Sequence, residues 1–288
     1  MFKDLHPAVN LIYFCIIIGV TMFSTDPYFV LVTLIFAWAY SFMLKGKKSL
    51  RQNILLTLPI LIIMTAVNTI FVHNGATILF YISDLRITLE ALLFGLVSAM
   101  ILSSVIIWFS CFSVIMTSDK LIYIFGKARP VMGLTLSMVF RFIPLLRERF
   151  NEIRLGQKAM GREEEQHFFG KVRQFVKELS ILISWSLESS IETADSMEAR
   201  GYGLKRRTSF HLFRLMDRDK LMMAIFIACG AVLITALIMG LTDIYYYPII
   251  VLDKWSPLKA IAFIVYVIML VIPVVMDLDI KKKWQLSK

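Results

Sequence analysis

The chain alternates between long apolar stretches and short polar breaks, and this pattern sets its architecture. Apolar residues run from about Val9 to Leu44, broken only by "STDP" at Ser24 to Pro27. A tight turn there leaves two spans of 16 or 17 residues, near the lower limit for a helix crossing a bilayer. "KGKKSLR", Lys45 to Arg51, reads as a basic connection before a third span, about Ile54 to Val72. "HNGATILFYISDLR" is the next connection, and a fourth span covers about Leu89 to Met116, long enough to tilt. Two further spans, about Leu221 to Leu241 and Leu258 to Met276, close the chain on either side of "DIYYYP". That aromatic cluster suits a membrane interface.

Between these sets lies a different pattern. Residues 117–220 hold 19 of the 31 Lys and Arg and 13 of the 21 acidic residues, yet they remain rich in Leu, Ile, Phe and Met. Dense charge on an apolar background predicts amphipathic helices rather than a disordered tail. The expected organisation is therefore 1–116 with about four spans, 117–220 as a cytoplasmic coupling-helix region, and 221–288 with two spans and a basic tail. The fold class is all-α, a polytopic membrane protein of about six transmembrane helices with a cytoplasmic module of long amphipathic helices.

Composition agrees with that class. Hydrophobic residues make up 58% of the chain and charged ones 18%, whereas soluble domains sit near a half and a quarter. No removable signal peptide is read at the start. The net charge of +10 would suggest nucleic acid in a soluble protein, but here it follows the bias of basic residues toward cytoplasmic loops. Six spans put both termini on one side, together with Lys45 to Arg51, the 117–220 region and the C-terminal lysines. The other side keeps Arg86, Lys254 and, at a span edge, Lys259. The expected location is the cell membrane, multi-pass, with both termini cytoplasmic and no nucleic-acid partner.

Candidate chemistry inside the spans is sparse. Cys15, Cys111 and Cys229 lie in apolar segments with no ligand spacing, and the four histidines are scattered, so no metal site and no cofactor is expected. None of the three Gly-Lys pairs (Gly46-Lys47, Gly126-Lys127, Gly170-Lys171) completes a phosphate-binding loop, which needs a glycine five residues earlier and a following Ser or Thr. Intramembrane enzymes place ionisable groups within spans. Here Glu90 stands at a span edge, and no HExxH or GxSxG occurs, so no catalytic residue is assigned. "REEEQH", Arg162 to His167, reads as the solvated acidic first turn of a helix. A membrane scaffold, or an intramembrane enzyme without an ATPase partner, is the competing class.

Two segments of the middle region share a design. In "RFIPLLRERFNEIRLGQKAMGRE", Ile143, Leu146, Phe150, Ile153 and Met160 form an apolar stripe, and Arg147, Asn151, Arg154, Lys158 and Arg162 a basic one. In "ELSILISWSLESSIETADSMEARG", Ile183, Leu187, Ile191 and Ala194 are apolar, while Glu188, Glu192 and Asp195 line an acidic face. Opposite charge predicts that the two helices pack across each other. Each run meets a glycine, Gly161 or Gly201, as a helix C-terminal cap does. A terminal arginine such as Arg200 also stabilises the negative end of a helix dipole.

"ADSMEARGYG" resembles the Ala-Arg-Gly signature of the T component of energy-coupling factor (ECF) transporters, ABC importers for vitamins and for cobalt or nickel ions. "RFIPLLRERFNEIRLGQKAMG" resembles that family's other coupling segment, and the order of spans, helical region and spans matches throughout. The "LHPAVNL" start is similar too. The resemblance implies that the two helix ends dock into grooves on two ATP-binding cassette ATPase subunits. It also implies that a membrane-embedded S component captures the substrate. It assigns Ala199, Arg200 and Gly201 to the second docking signature, with Arg200 pairing to ATPase carboxylates. It assigns Lys158, Ala159, Met160, Gly161 and Arg162 to the first. There this chain departs from the family: Met160 stands where an arginine is usual, and Lys158 or Arg162 is left to supply the charge. Such a subunit is not itself an enzyme.

Overall fold

A computed structural model describes residues 2–72, 75–82, 85–160, 167–204, 213, 215–250 and 255–286, with side chains 80–85, 128, 130 and 279–286 outside the description. The chain forms two compact units. One joins Met1–Thr117 to Phe213–Lys288, and the other is Ser118–Leu212.

The first unit is a helical bundle. Helix α1 (Pro7–Phe23) starts with Pro7 in its first turn and His6 as cap, the Ala8 amide donating to His6 Nδ1 at 3.2 Å. The "STDP" break does more than turn the chain. Asp26 caps helix α2 (Pro27–Lys45), accepting the Tyr28 amide at 2.9 Å, and Pro27 supplies the preset φ of a first helical position. Gly46, at φ +71°, is the only residue between α2 and α3 (Lys47–Phe71). The basic run is thus not the loop expected from the sequence. Lys47 to Arg51 form the first turn of α3, because one left-handed glycine suffices to reverse the chain.

The connection after α3 carries a second departure, a small hairpin. Strand β1 (Ile78–Ile82) pairs antiparallel with β2 (Leu85–Thr88), Ile78 opposite Thr88. β-branched and aromatic residues dominate both strands. Helix α4 (Leu89–Ile115) then lies against α3, and Gly95 allows the approach. A Cβ there would sit 2.9 Å from Asn68 Cβ and 3.0 Å from Thr65 Cα. Ala91, Gly95, Ala99 and Ser103 recur every four residues on this buried face.

The second unit contains α5 (Ser118–Ala128), α6 (Pro130–Ala159) and α7 (Phe168–Ala199). Gly133 faces Gly126 so closely that a Cβ on it would meet the Gly126 Cα at 2.5 Å, letting α5 fold back onto α6. The α6–α7 contact is aromatic. Phe150 and Phe175 rings meet at 5.9 Å, and the Arg149 guanidinium lies 5.0 Å over Trp185. The sequence leads to an expectation of charge pairing between the stripes; the contacts seen between the described residues of α6 and α7 are these aromatic ones. Arg147, Arg154 and Lys158 on α6 and Glu188, Glu192 and Asp195 on α7 are all exposed. Exposed charges avoid the desolvation that full burial would cost.

The chain returns to the first unit with α8 (Asp217–Ile238) and α9 (Pro257–Leu286). Helices α2, α3, α4 and α8, and residues Pro257–Leu278 of α9, are long and apolar enough to cross a membrane; α1 is a shorter apolar helix of 17 residues. The bundle core gathers Tyr13, Phe14, Tyr40, Trp108, Phe226 and Tyr266, with Phe2 packed 4.8 Å from Tyr13. Some of its polar groups are paired across helices. The Tyr266 hydroxyl lies 2.5 Å from Thr33 Oγ1 and 3.1 Å from Thr21 Oγ1, and the Phe2 amide donates to Asp277 at 2.9 Å.

The turn at Asp26 is tied to the α8–α9 connection. Thr25 and Asp26 amides donate to the Thr242 carbonyl at 3.2 and 3.0 Å, and Asp26 pairs with Lys259 at 2.6 Å, with side chains 0% and 4% exposed. Tyr246 donates to the Thr25 carbonyl at 2.8 Å. Burial first, then the Asp26 carboxylate, pushes its phenol up to about 12, so it stays a donor at neutral pH.

Candidate functional site

The tip of α7 is fixed by backbone chemistry. A helix leaves its last four carbonyls without partners, and a residue in the left-handed region lets later amides turn back to them. Gly201 takes that conformation at φ +80°. Its amide donates to the Glu198 carbonyl at 2.9 Å, and the Tyr202 amide reaches the Met197 carbonyl at 2.9 Å. This paired closure places Arg200 at the cap, its own amide bonded to the Ser196 carbonyl at 3.2 Å and its side chain exposed. Ala199 is exposed beside it. A side chain other than glycine at 201 would be strained in φ and crowded, since a Cβ would come within 2.9 Å of Leu204 Cδ1.

The tip of α6 has the same backbone at its cap, with φ −79° and ψ 13° at Met160 against −85° and 10° at Arg200. Lys158 and Ala159 occupy the last turn and are exposed. Met160 is the cap, its amide donating to the Gly156 carbonyl at 3.1 Å, and its side chain is 69% exposed. Gly161 and Arg162 lie outside the described residues, as does the rest of "REEEQ"; His167 caps α7. Among the described residues, the α7 tip presents an arginine and the α6 tip a methionine.

The pattern of the cobalt transport protein family, CbiQ, matches residues 1–212, a stretch that includes both tips. The chain belongs to the CbiQ family. Curated relatives extend the match. An energy-coupling factor transporter transmembrane protein EcfT from Bacillus selenitireducens is 24% identical over 82% of this chain and 92% of its own length. EcfT from Listeria innocua is 29% identical over 69% of this chain and 75% of its own. EcfT from Streptococcus thermophilus is 34% identical over a shorter stretch, 40% and 44%. Family and relatives make this CbiQ-family chain a multi-pass transmembrane T component of the energy-coupling factor type.

In this CbiQ-family chain, the sequence pattern located the helix ends at Ala159 and Ala199 but not the Asp26–Lys259 pair. Asp26 read as turn chemistry and Lys259 as a span-edge charge. The available signal was a lysine followed by about 18 apolar residues: an ionisable group at the head of a span needs a partner.

Proposed function

We propose that the chain is the coupling subunit of an ECF-type importer, carrying ATP-driven motion from two ABC ATPase subunits to a membrane-embedded S component. The α7 tip carries this reading. Arg200 stands exposed on a helix end that Gly201 closes rigidly, and a planar guanidinium held that way suits bidentate pairing with a partner carboxylate. Lys158, Ala159, Met160, Gly161 and Arg162 form the second docking segment, with apolar contact through Met160 in place of an arginine. Ile183, Leu187 and Ile191, exposed along α7, offer an apolar stripe for the S component. The α6–α7 crossing at Phe150, Phe175 and Trp185 supplies the stiffness that transmission needs.

In this reading residues 1–116 and 221–288 stay in the bilayer, 117–220 is the cytoplasmic coupling region, and both termini are cytoplasmic. The subunit hydrolyses nothing itself. Its cargo, a vitamin or a cobalt or nickel ion, is selected by the S component. Gentle solubilisation followed by affinity capture tests the proposal. The parent chain should bring down an ATPase pair and a small membrane protein, and Arg200→Glu should lose the ATPases. Retention of the ATPases by Arg200→Glu would overturn the anchor role.

A further inference from the structure

We propose that Leu204 is a second contact point of the α7 tip, so that the partner groove holds an apolar pocket beside the carboxylate that receives Arg200. The inference rests on the docking role proposed above. Its starting point is the path of the chain after the signature. Gly201 and Gly203 both adopt left-handed φ, +80° and +97°, and the Leu204 amide donates to the Gly201 carbonyl at 3.3 Å. These turns fold the chain back over the helix end. Leu204 Cδ1 lies so close to Gly201 that a single added carbon would be 2.9 Å away. The leucine is therefore set on the same tip as Arg200, yet it stays 70% exposed.

A single exposed leucine is ordinary on a protein surface. This one differs because the turn made by two left-handed glycines and a hydrogen bond sets it beside Arg200, and because α6 too presents an exposed apolar side chain at its tip. Met160, the cap of that helix, is 69% exposed. Both tips thus offer a long apolar side chain near a cation, Met160 with Lys158 on α6 and Leu204 with Arg200 on α7.

The physical need is clear from magnitudes. An exposed ion pair improves affinity only a few-fold. Contacts that dominate an interface combine an arginine or aromatic anchor with apolar neighbours that exclude water from it. Leu204 is placed to do this for Arg200. The occupant that fits is a groove on the ATPase subunit with one carboxylate and an adjoining apolar pocket.

The test uses the full-length chain in detergent and the ATPase pair that co-purifies with it. Affinity is measured for Leu204→Ala, Leu204→Met and Arg200→Glu at low and high salt. Leu204→Ala should weaken binding about 10- to 100-fold at both salt levels, and Leu204→Met should recover most of it. Hydrogen exchange at the Gly201 and Tyr202 amides should be unchanged in Leu204→Ala, which separates a lost contact from a loosened cap. If Arg200→Glu abolishes binding while Leu204→Ala stays within about twofold, the inference fails and the docking role stands. Faster exchange at those amides in Leu204→Ala would also overturn it. Failure of both substitutions to weaken binding would remove the docking role itself.

Discussion

Arg200 and Gly201 do separate jobs at one helix end. The arginine offers charge outward, and the glycine closes the backbone behind it. Arg200→Ala should leave thermal stability of the isolated chain unchanged and weaken ATPase binding about 10- to 100-fold, as expected for removal of a charge-assisted pair in a docked groove. Titration of the purified ATPases against the two chains measures this. Gly201→Ala should act differently. The residue is at φ +80° and pressed by Leu204, so the substitution costs about 1–2 kcal/mol locally. It should appear as faster hydrogen exchange at the Tyr202 amide, with docking weakened as a consequence. The cap was legible in the sequence because "ARG" after a helical stripe has few other meanings. The fold-back of Leu204 was not, since a left-handed φ at Gly203 depends on local closure that composition does not encode.

Helix pairing follows from small residues and buried charge. Gly95 lets α4 approach α3, and Gly95→Leu should force them apart. Overpacking of this kind costs about 1–3 kcal/mol, read as a lower Tm in detergent. The Asp26–Lys259 pair makes a sharper case. Breaking a buried pair by removing one partner strands a charge, at about 3–5 kcal/mol. Asp26→Asn should therefore destabilise strongly, while Asp26→Asn with Lys259→Met should recover much of the loss. Equal stability of single and double variants would show that the pair contributes little. Element positions were largely readable because apolar runs of span length are unambiguous. The errors have physical causes. The basic run after α2 reads as a loop, but lysines tolerate a helix start when one glycine makes the turn. The stripes of opposite charge suggest the α6–α7 crossing, while its aromatic contacts at Phe150, Phe175 and Trp185 leave no clear pattern, because aromatic rings recur throughout so apolar a chain.

At the scale of the whole molecule, a single candidate span, α3, separates Lys47 from Arg86, so the proposed topology has them on opposite faces of the membrane. In sealed vesicles of known orientation, with the three native cysteines replaced, Lys47→Cys should react with an impermeant thiol reagent only from the cytoplasmic side and Arg86→Cys only from the other. Reaction of both from one side would overturn the topology. The overall class was legible from hydropathy. That the bundle draws on both ends of the chain was not, because the contacts of α1 and α2 with α8 and α9 leave no periodic trace in the sequence.

The Tyr266 hydrogen bond to Thr21 crosses 245 positions of sequence. A ribosome adding about 5–20 residues per second needs roughly 12–50 s to bridge that interval. Throughout that time Thr21 has only its bond to the Ile17 carbonyl and Asp26 only the Tyr28 amide, without Tyr266 and Lys259. Until Lys259 has been added, the Asp26 carboxylate lacks the cation that neutralises it in the folded bundle, so closure of the first turn waits on residues made more than 230 positions later.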